Sequence, residues 1–445
     1  MRDWLELTAA DQGRGIAAGD IDPRDLVEAY LAEIAETSDA PKIYARLTPR
    51  RARAEAAAAA ERAREGRRIG PLDGVPISWK DNIDSAGIAT EAGSRLLADR
   101  VPETDAAVLA RATAAGLVCL GKTHLSELAF SGLGINPMAK TPPNVFVPEA
   151  APGGSSSGAA VSVARRLAAA AVGSDTGGSV RIPAAWNGLV GLKTTAGLLP
   201  NRGVVPLAPS LDTIGPLART VEDAWLLLAA LFGRPGDPLP APARPGCLLV
   251  PTTVVFEGAD AAVIAAFEAG ITALSRLGVE IRRGPVPELE AVFDVAARLS
   301  PIVTFEAWEA WGAAISANPG VMYNRIETRF RQGEGADPGP VAAAKTEFRR
   351  LGAQLAERMA AEGPVAMPTV ACLPPRVAEL EADEAAYTER NLLALRNTRI
   401  ANLLGLSAVT LPLAEPATGL MLFEGPMAEH RLVAESLALA PALTA

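Results

Sequence analysis

Two short loops rich in glycine and hydroxyl residues lie close together in this sequence, at residues 152–158 and 173–183. The first reads Pro-Gly-Gly-Ser-Ser-Ser-Gly, and the second reads Gly-Ser-Asp-Thr-Gly-Gly-Ser-Val-Arg-Ile-Pro. The apolar segment between them, residues 159–172, is typical of one helix followed by one strand. Glycine tolerates positive φ and lets backbone N–H groups approach a ligand closely, so such loops can bind an anion. One such loop alone favours a tight turn between core elements. The two loops together with Lys80-Asp81-Asn82 at the end of a predicted strand favour a functional site.

Strand-like and helix-like segments alternate over much of the chain. Buried strands are predicted at residues 117–120, 168–172 and 189–192. Helices are predicted at residues 104–115 and 221–232. This alternation predicts an α/β fold in which helices cover a sheet.

The rest of the chain is predicted to continue this pattern. The first third is expected to be helical, with Asp22-Pro23 typical of a helix start and an alanine-rich helix over residues 50–67. Residues 233–246 are dense in proline and glycine and fit either a linker between domains or a surface loop within one domain. Residues 287–364 are predicted to be mostly helical. Strands are expected again from residue 365 onwards, and a last helix near residues 430–440.

Composition excludes several classes of function. The formal net charge is −9, which argues against nucleic acid as a partner because such binding depends on Lys and Arg neutralising phosphates. The three cysteines show no metal-ligand spacing, and an odd count without a disulfide framework favours a reducing compartment. No secretory signal is apparent, and the longest apolar run is about half a membrane span. We therefore predict a cytoplasmic protein with no membrane partner.

Residues 116–123 match the P-loop pattern G-x-x-x-x-G-K-[ST]. A working P-loop needs a strand before the loop and exposed N–H groups within it to bind phosphates. Here the four variable positions are Leu-Val-Cys-Leu, which favour a buried strand. The match is therefore interpreted as a core strand and not as a nucleotide site.

Residues 154–158 match the nucleophile elbow G-x-S-x-G, with Ser156 at its centre. That elbow needs a preceding strand and a histidine elsewhere, but the preceding residues are typical of a loop. The chain has only two histidines, His124 and His430, and neither lies in an informative context. A histidine-based triad is therefore disfavoured, and a histidine-rich metal site is excluded.

A serine nucleophile in such a chain needs another base, and Lys80 is the candidate. It ends the apolar run Val-Pro-Ile-Ser-Trp, which is compatible with burial. A lysine acts as a base only when neutral, so its pKa must fall from about 10 towards 7–8 through desolvation. The glycines before Ser179 could meanwhile supply N–H groups to the oxyanion of a tetrahedral intermediate.

With these residues in place, the sequence resembles the amidase-signature family. The resemblance extends in weaker form over nearly the whole chain and is carried by four matching segments in the same order and spacing: Gly74-Val75-Pro76-Ile77-x-x-Lys80-Asp81-Asn82, Gly153-Gly154-Ser155-Ser156-x-Gly158, Gly173-Ser174-Asp175-x-Gly177-Gly178-Ser179-x-Arg181-x-Pro183 and Gly188-Leu189-Val190-Gly191-Leu192-Lys193.

The resemblance implies one α/β domain over residues 1–445, with a mixed, twisted sheet flanked by helices. Within it we expect an N-terminal helical segment of about residues 1–68, a signature core of about 69–232 and a variable substrate-side region of about 285–364. The implied activity is hydrolysis of a linear, non-peptide carboxamide to a carboxylic acid and ammonia or an amine. No cofactor and no metal are implied.

The resemblance also implies residue roles. Ser179 would be the acylated nucleophile, Lys80 the general base, and Ser155 the bridge between them, with a cis peptide bond before it. Asp175 and Arg181 would brace the loop. The oxyanion hole would be made by the backbone N–H groups of Thr176, Gly177, Gly178 and Ser179.

Substrate and assembly are less well determined. The candidate substrate-binding residues are Ala129, Phe130, Gly153, Gly154 and Tyr323. The expected partner is a small-molecule amide, and a homodimer is an open alternative. A second function class shares the same motifs, namely the glutaminase subunit of a tRNA-dependent amidotransferase complex. Residues 303–333, where that subunit would recognise glutamine, show no matching pattern.

Overall fold

Eleven β-strands form one mixed sheet in the computed structural model, which describes residues 2–299 and 301–444. In chain order the strands are β1 (Tyr44–Leu47), β2 (Pro76–Lys80), β3 (Val118–Thr123), β4 (Ala170–Asp175), β5 (Val190–Lys193), β6 (Thr213–Ala218), β7 (Cys247–Pro251), β8 (Glu280–Gly284), β9 (Val365–Pro368), β10 (Ser407–Pro412) and β11 (Gly419–Glu424). Their order across the sheet is β1-β3-β2-β4-β6-β5-β10-β11-β9-β7-β8.

Helices cover both faces of this sheet. They are α1 (Arg2–Glu6), α2 (Ala9–Ala18), α3 (Pro23–Glu36), α4 (Ala40–Ile43), α5 (Pro49–Arg64), α6 (Ala107–Ala114), α7 (Ser157–Ala164), α8 (Arg181–Trp186), α9 (Val221–Phe232), α10 (Ala261–Arg276), α11 (Pro287–Arg298), α12 (Ile302–Ala317), α13 (Asn324–Arg331), α14 (Pro338–Glu362), α15 (Val377–Ala382), α16 (Glu384–Leu403) and α17 (Glu429–Leu443). The predicted α/β fold is confirmed. Of these helices, none is both long and apolar enough to cross a membrane.

The core lies on both faces of the sheet, as the alternation along β11 demonstrates. Leu420 and Leu422 belong to one apolar cluster, whereas Met421 and Phe423 belong to another. Successive side chains of a strand point to opposite faces, so a strand with both sets buried lies inside the molecule. This accounts for the continuous apolar runs that the sequence analysis interpreted as strands.

Several helices lie where local sequence patterns predicted them. α9 has the predicted bounds, and the Asp22 side chain accepts a hydrogen bond from Arg24 N at 2.9 Å at the start of α3. Within the N-terminal third, however, β1 is a strand where helix was expected. It pairs antiparallel with β3 at the sheet edge, so a tertiary contact and not local propensity sets its conformation.

Residues 233–246 form a connection between α9 and β7. The strands on either side of it, β6 and β7, belong to the same sheet. Of the two alternatives, the surface loop is the one that fits this arrangement. The helical content expected over residues 287–364 is present as α11 to α14.

Candidate active site

The candidate site lies where two neighbouring parallel strands end. β2 and β4 pair in parallel, with Trp79 opposite Val172. Lys80 and Ser174 therefore both lie at the carboxyl ends of these two strands. The carboxyl ends of parallel strands are the usual location of a site in an α/β fold because the following loops converge there. Lys80 ends β2, and the first three residues of the second glycine segment, 173–175, are the last three of β4.

Lys80 is fully buried and has three hydrogen-bond acceptors. Its Nζ donates to Ser155 Oγ at 2.6 Å, to Ser174 Oγ at 2.8 Å and to the Ser174 carbonyl at 3.3 Å. Burial lowers the pKa of Lys80 to about 7, although the charges of Asp175 and Asp212 act in the opposite direction. This value lies in the range that the sequence analysis required of a lysine base.

The two glycine loops meet at the serines. The Gly154–Ser155 peptide bond is cis, as the resemblance implied. Ser156 N donates to the Ser179 carbonyl at 3.2 Å, which ties the first loop to the second. Ser179 is 5% exposed and lines a cavity of about 250 Å³. The structure therefore brings Lys80, Ser155 and the loop of Ser179 together beside a cavity.

The backbone N–H groups of the second loop divide into two sets. Gly178 N donates to Asp175 Oδ1 at 2.8 Å, so this group is already occupied and the expectation that it faces an oxyanion needs correction. The N–H groups of Thr176, Gly177 and Ser179 have no acceptor within the described part of the chain. Thr176, Gly177 and Ser179 also line the cavity, so three of the four expected residues suit an oxyanion hole.

Asp175 holds this loop in place from inside the protein. Its carboxylate accepts from Val180 N at 3.0 Å and from Arg181 Nε and Nη2 at 3.1 and 3.0 Å, and both side chains of the ion pair are fully buried. Burial alone would raise the pKa of Asp175, but the Arg181 guanidinium and the Asn402 amide hold it well below its usual range. The pair therefore fits the expected bracing role.

α16 packs on the same loop, and the sequence analysis missed its contribution. Thr398 Oγ1 donates to the Gly177 carbonyl at 2.7 Å, and Asn402 Nδ2 donates to Asp175 Oδ1 at 2.9 Å. These partners are more than 200 positions apart in the chain, and no local pattern announces them. Ser174 and Asn82, by contrast, stand inside the matched segments, and Asn82 Nδ2 donates to Ser174 Oγ at 3.0 Å.

The P-loop-like segment, residues 116–123, and the elbow-like segment, residues 154–158, adopt the structures that were predicted for them. The P-loop-like segment includes β3, which is buried along its whole length, and Lys122 forms an ion pair with Asp81 at 3.1 Å. Ser156 follows a loop and donates its Oγ to the Ser174 carbonyl at 3.3 Å. Burial lowers the pKa of His124 to about 4, and His430 lies against Trp225 on the exposed side of α17.

The substrate-binding candidates divide between the cavity and its surroundings. Ala129 and Phe130 line the cavity as expected, but Tyr323, Gly153 and Gly154 do not. Tyr323 N donates to Glu127 Oε2 at 2.8 Å, which ties the residue to the segment just before Ala129. A Cβ on Gly153 would lie 2.8 Å from Pro183 Cα, and a Cβ on Gly154 would lie 2.5 Å from Gly134 N. Both glycines therefore face packed protein.

The remaining cavity wall is largely apolar and includes two arginines that the sequence analysis did not select. Arg329 of α13 and Arg399 of α16 both line the cavity. Neither lies in a matched segment, so no sequence pattern indicated them. Among the described residues, no group of three or more His, Cys, Asp or Glu side chains is placed to hold a metal ion.

Comparison with known proteins extends over nearly the whole chain. A family model described as Amidase matches residues 25–422. A 2-amino-5-chloromuconic acid deaminase from Comamonas testosteroni is 36% identical over 428 residues, which are 92% of this chain and 92% of that protein. A glutamyl-tRNA(Gln) amidotransferase subunit from Anaeromyxobacter sp. (strain K) is 40% identical over 294 residues, but these cover only 63% of this chain and 60% of that protein.

The fold is shared with solved structures as well. The native peptide amidase from Stenotrophomonas maltophilia superposes with a TM-score of 0.81 at 27% sequence identity. The match covers 100% of this chain and 98% of that one.

Proposed function

The chain belongs to the amidase family and is a hydrolase of carbon–nitrogen bonds, and on that premise we propose that it cleaves the carboxamide of a small molecule through an acyl intermediate on Ser179. The products are a carboxylic acid and ammonia or an amine. The observation that carries the proposal is the contact between Lys80 Nζ and Ser155 Oγ, at 2.6 Å, with the pKa of the buried lysine lowered to about 7.

Activation of the nucleophile follows from the contacts of Lys80. A neutral amine has two N–H groups and one lone pair. All three contacts of Nζ are donated when the lysine is protonated. In the neutral amine the two oxygens of Ser174 accept the two N–H groups, and the contact at 2.6 Å reverses so that the Ser155 hydroxyl donates to the lone pair. As Ser179 Oγ attacks the amide carbon, its proton passes to Ser155 Oγ while the Ser155 proton passes to Lys80 Nζ.

The carbonyl oxygen becomes an oxyanion as the C–O bond to Ser179 forms. The N–H groups of Thr176, Gly177 and Ser179, which have no acceptor among the described residues, are the proposed donors to it. Each such donor typically accelerates the reaction by a factor of about 10²–10³. Asp175 is the positioning residue of this loop because it occupies the N–H groups of Gly178 and Val180 and leaves the other three free.

Collapse of the intermediate reverses the proton path. The protonated Lys80 returns its proton through Ser155 to the leaving nitrogen, the C–N bond breaks, and ammonia or an amine departs. Water then attacks the acyl ester, and its proton passes through Ser155 to Lys80. That proton returns through Ser155 to Ser179 Oγ as the C–O bond to Ser179 breaks and the acid is released. Every proton taken up by Lys80 is thereby returned within one turnover.

A substrate panel tests the proposed function directly. The purified chain is incubated with aryl and aliphatic carboxamides, and release of ammonia or amine is measured together with the mass of the acylated protein. We expect turnover of at least one class and an acyl adduct on the peptide that contains Ser179. A panel without turnover, with glutaminase activity appearing only alongside a partner protein, would contradict the proposal.

A glutaminase component of an amidotransferase is the second candidate, and the 40% identity to the Anaeromyxobacter protein over 294 residues favours it. The match to the deaminase, however, covers 92% of both chains, whereas the match to the amidotransferase subunit covers 63% of this chain and 60% of that protein, so the whole chain is better matched by the deaminase. Hydrolysis of amides by the isolated chain separates the two functions. Three further statements stay proposals: that a small-molecule amide is the sole partner, that the assembly is a homodimer, and that the location is cytoplasmic.

A further inference from the structure

Two arginines, Arg329 and Arg399, line the cavity beside Ser179, and neither has a carboxylate partner among the described residues. Arg399 lies on α16, one residue after Thr398, and its Cβ is 3.8 Å from the point where a side chain on Gly177 would begin. The side chain of Arg399 therefore leaves the backbone directly beside the loop that carries the proposed oxyanion donors. Arg329 lies on α13 and is tied to Phe130, which lines the same cavity.

Arg399 makes no hydrogen bond or ion pair with any described residue. Its Nε is buried and has no acceptor, and its guanidinium carbon lies 5.1 Å from the centre of the Phe293 ring. Burial lowers the pKa of Arg399, but a guanidinium stays charged in a protein. Because a buried charge without a partner is costly, the position calls for an anion from outside the protein.

Arg329 is held in place but uses little of its donor capacity. Its Nη1 donates to the Phe130 carbonyl at 2.9 Å, and its guanidinium carbon lies 4.4 Å from the centre of the Phe130 ring. Burial lowers the pKa of Arg329 to about 10, and the positive charge of Arg399 contributes to this. A guanidinium has five N–H donors, so most of those on Arg329 are available to a ligand.

No aspartate or glutamate lines the cavity in the described part of the chain. Two acids on adjoining segments are engaged elsewhere. Glu127 accepts from Ser94 Oγ and Tyr323 N, and Asp212 accepts from Thr176 Oγ1 at 2.5 Å and from backbone N–H groups. The cavity is therefore locally positive in a chain whose formal net charge is −9.

We propose that Arg329 and Arg399 form a carboxylate-binding subsite in the cavity, and that the preferred substrate is an amide whose acyl part carries a second, ionised carboxyl group. A guanidinium fork matches a planar carboxylate with two parallel hydrogen bonds. The apolar wall, which includes Leu207, Ile302 and Phe348, suits the carbon chain between the two ends. This inference rests on the proposed function because it names the substrate of the same site.

The same cavity disfavours glutamine. Glutamine has an α-ammonium group beside its carboxylate, and that group needs an acidic or carbonyl partner. Two arginines and no acid at the described cavity wall would repel it. The subsite therefore fits a monoamide of a dicarboxylic acid better than an amino acid amide.

The test compares amides that differ only at the far end. The wild-type chain is assayed with glutaramic acid, the neutral diamide glutaramide and L-glutamine, and then with the four-carbon and six-carbon monoamide and diamide pairs. We expect kcat/KM for a monoamide to exceed that for its diamide by at least about tenfold, the effect of a hydrogen bond to a charged group. Equal or faster hydrolysis of the diamides throughout would overturn the inference.

Substitutions assign the preference to the two arginines. Arg399→Gln and Arg329→Gln should each reduce the ratio of monoamide to diamide kcat/KM by about tenfold or more. Arg325→Gln is the matched control, because Arg325 lies one turn before Arg329 on α13 but donates to the carbonyls of Leu380 and Glu381 outside the cavity. A ratio unchanged in both cavity variants, or lowered equally in the control, would contradict the assignment.

A binding experiment separates this inference from the proposed function. Glutarate is titrated by calorimetry into the Ser179→Ala variant, with and without Arg399→Lys or Arg329→Lys, which keep the charge but lose the fork. Binding that weakens in the lysine variants supports the subsite even if no amide is hydrolysed. Hydrolysis of amides by the wild type without glutarate binding, or tighter binding of inorganic phosphate, would overturn the subsite and leave the proposed function standing.

Discussion

Lys80 Nζ and Ser155 Oγ are 2.6 Å apart, and both side chains are withdrawn completely from solvent. Burial excludes water from this contact, and it also lowers the pKa of the lysine to about 7. A lysine at its ordinary pKa would be protonated near neutral pH and could not accept a proton. Burial therefore accounts both for the exclusion of water from the proposed base and for its neutral state near pH 7.

The identity of the nucleophile can be tested with two serines from the two loops. Ser179→Ala should abolish the acyl adduct and reduce kcat/KM by several orders of magnitude because no other oxygen replaces the attacking one. Ser156→Ala should retain activity within about tenfold, since its Oγ donates to the Ser174 carbonyl and is not part of the proton path. Mass spectrometry of the intact protein after incubation with an amide or ester substrate reports the adduct. An adduct that survives in Ser179→Ala would assign the reaction to another residue.

The pH dependence of the rate follows from the required protonation state. Because Lys80 must be neutral to accept a proton, kcat/KM should rise about tenfold per pH unit below a pKa of about 7 and level off above it. Lys193 is the control, since burial also lowers its pKa to about 7 but its Nζ donates to the carbonyls of Thr194 and Leu406. Lys193→Met should keep the profile. A profile that is flat from about pH 5 to 9 in the wild type, or lost in Lys193→Met, would count against Lys80.

The same pKa predicts how stability changes with pH. The folded protein holds Lys80 with a pKa of about 7, whereas an unperturbed lysine has 10.5, so the unfolded state binds more protons between these values. The free energy of unfolding should therefore rise with pH across this window, by up to about 1.4 kcal/mol per pH unit from this group. Below the window both states are protonated and the fold carries the full cost of the buried charge.

Lys80→Met lacks this contribution and serves as the reference. Its free energy of unfolding should exceed that of the wild type most clearly near pH 6, and the difference should shrink as the pH approaches 10. Urea unfolding at a series of fixed pH values measures both proteins under the same conditions. A difference that does not change with pH would show that Lys80 keeps its ordinary pKa in the fold.

Two adjacent glycines should respond differently to the same substitution. Gly178 has a φ of +132°, and a Cβ there would lie 2.1 Å from Thr398 Oγ1, so Gly178→Ala should lose several kcal/mol of stability and most activity. A Cβ on Gly177 would meet nothing closer than Leu395 Cδ2 at 3.7 Å, so Gly177→Ala should fold with a stability change within about 1 kcal/mol. Thermal unfolding and steady-state kinetics distinguish the two, and equal losses would contradict the packing described here.

Much of the local structure was accessible from the sequence because it depends on neighbouring residues. The apolar run of α9 and the Asp22 cap of α3 are short-range features, and both elements begin where the pattern predicted. The cluster of Lys80, Ser155 and Ser179 was also accessible, since each stands in a matched segment. The strand β1 was not, because its four residues adopt an extended form only through pairing with β3.

What the sequence alone determined, then, is the order of the elements, the family and the residue types at the strand ends. Only the tertiary structure decided how the N–H groups of the second loop are shared, because Asp175 occupies that of Gly178 and α16 supports the loop from more than 200 positions away. It likewise decided that Arg329 and Arg399 face one cavity. Such contacts depend on how distant segments pack, and a one-dimensional pattern contains no record of which far residues become neighbours.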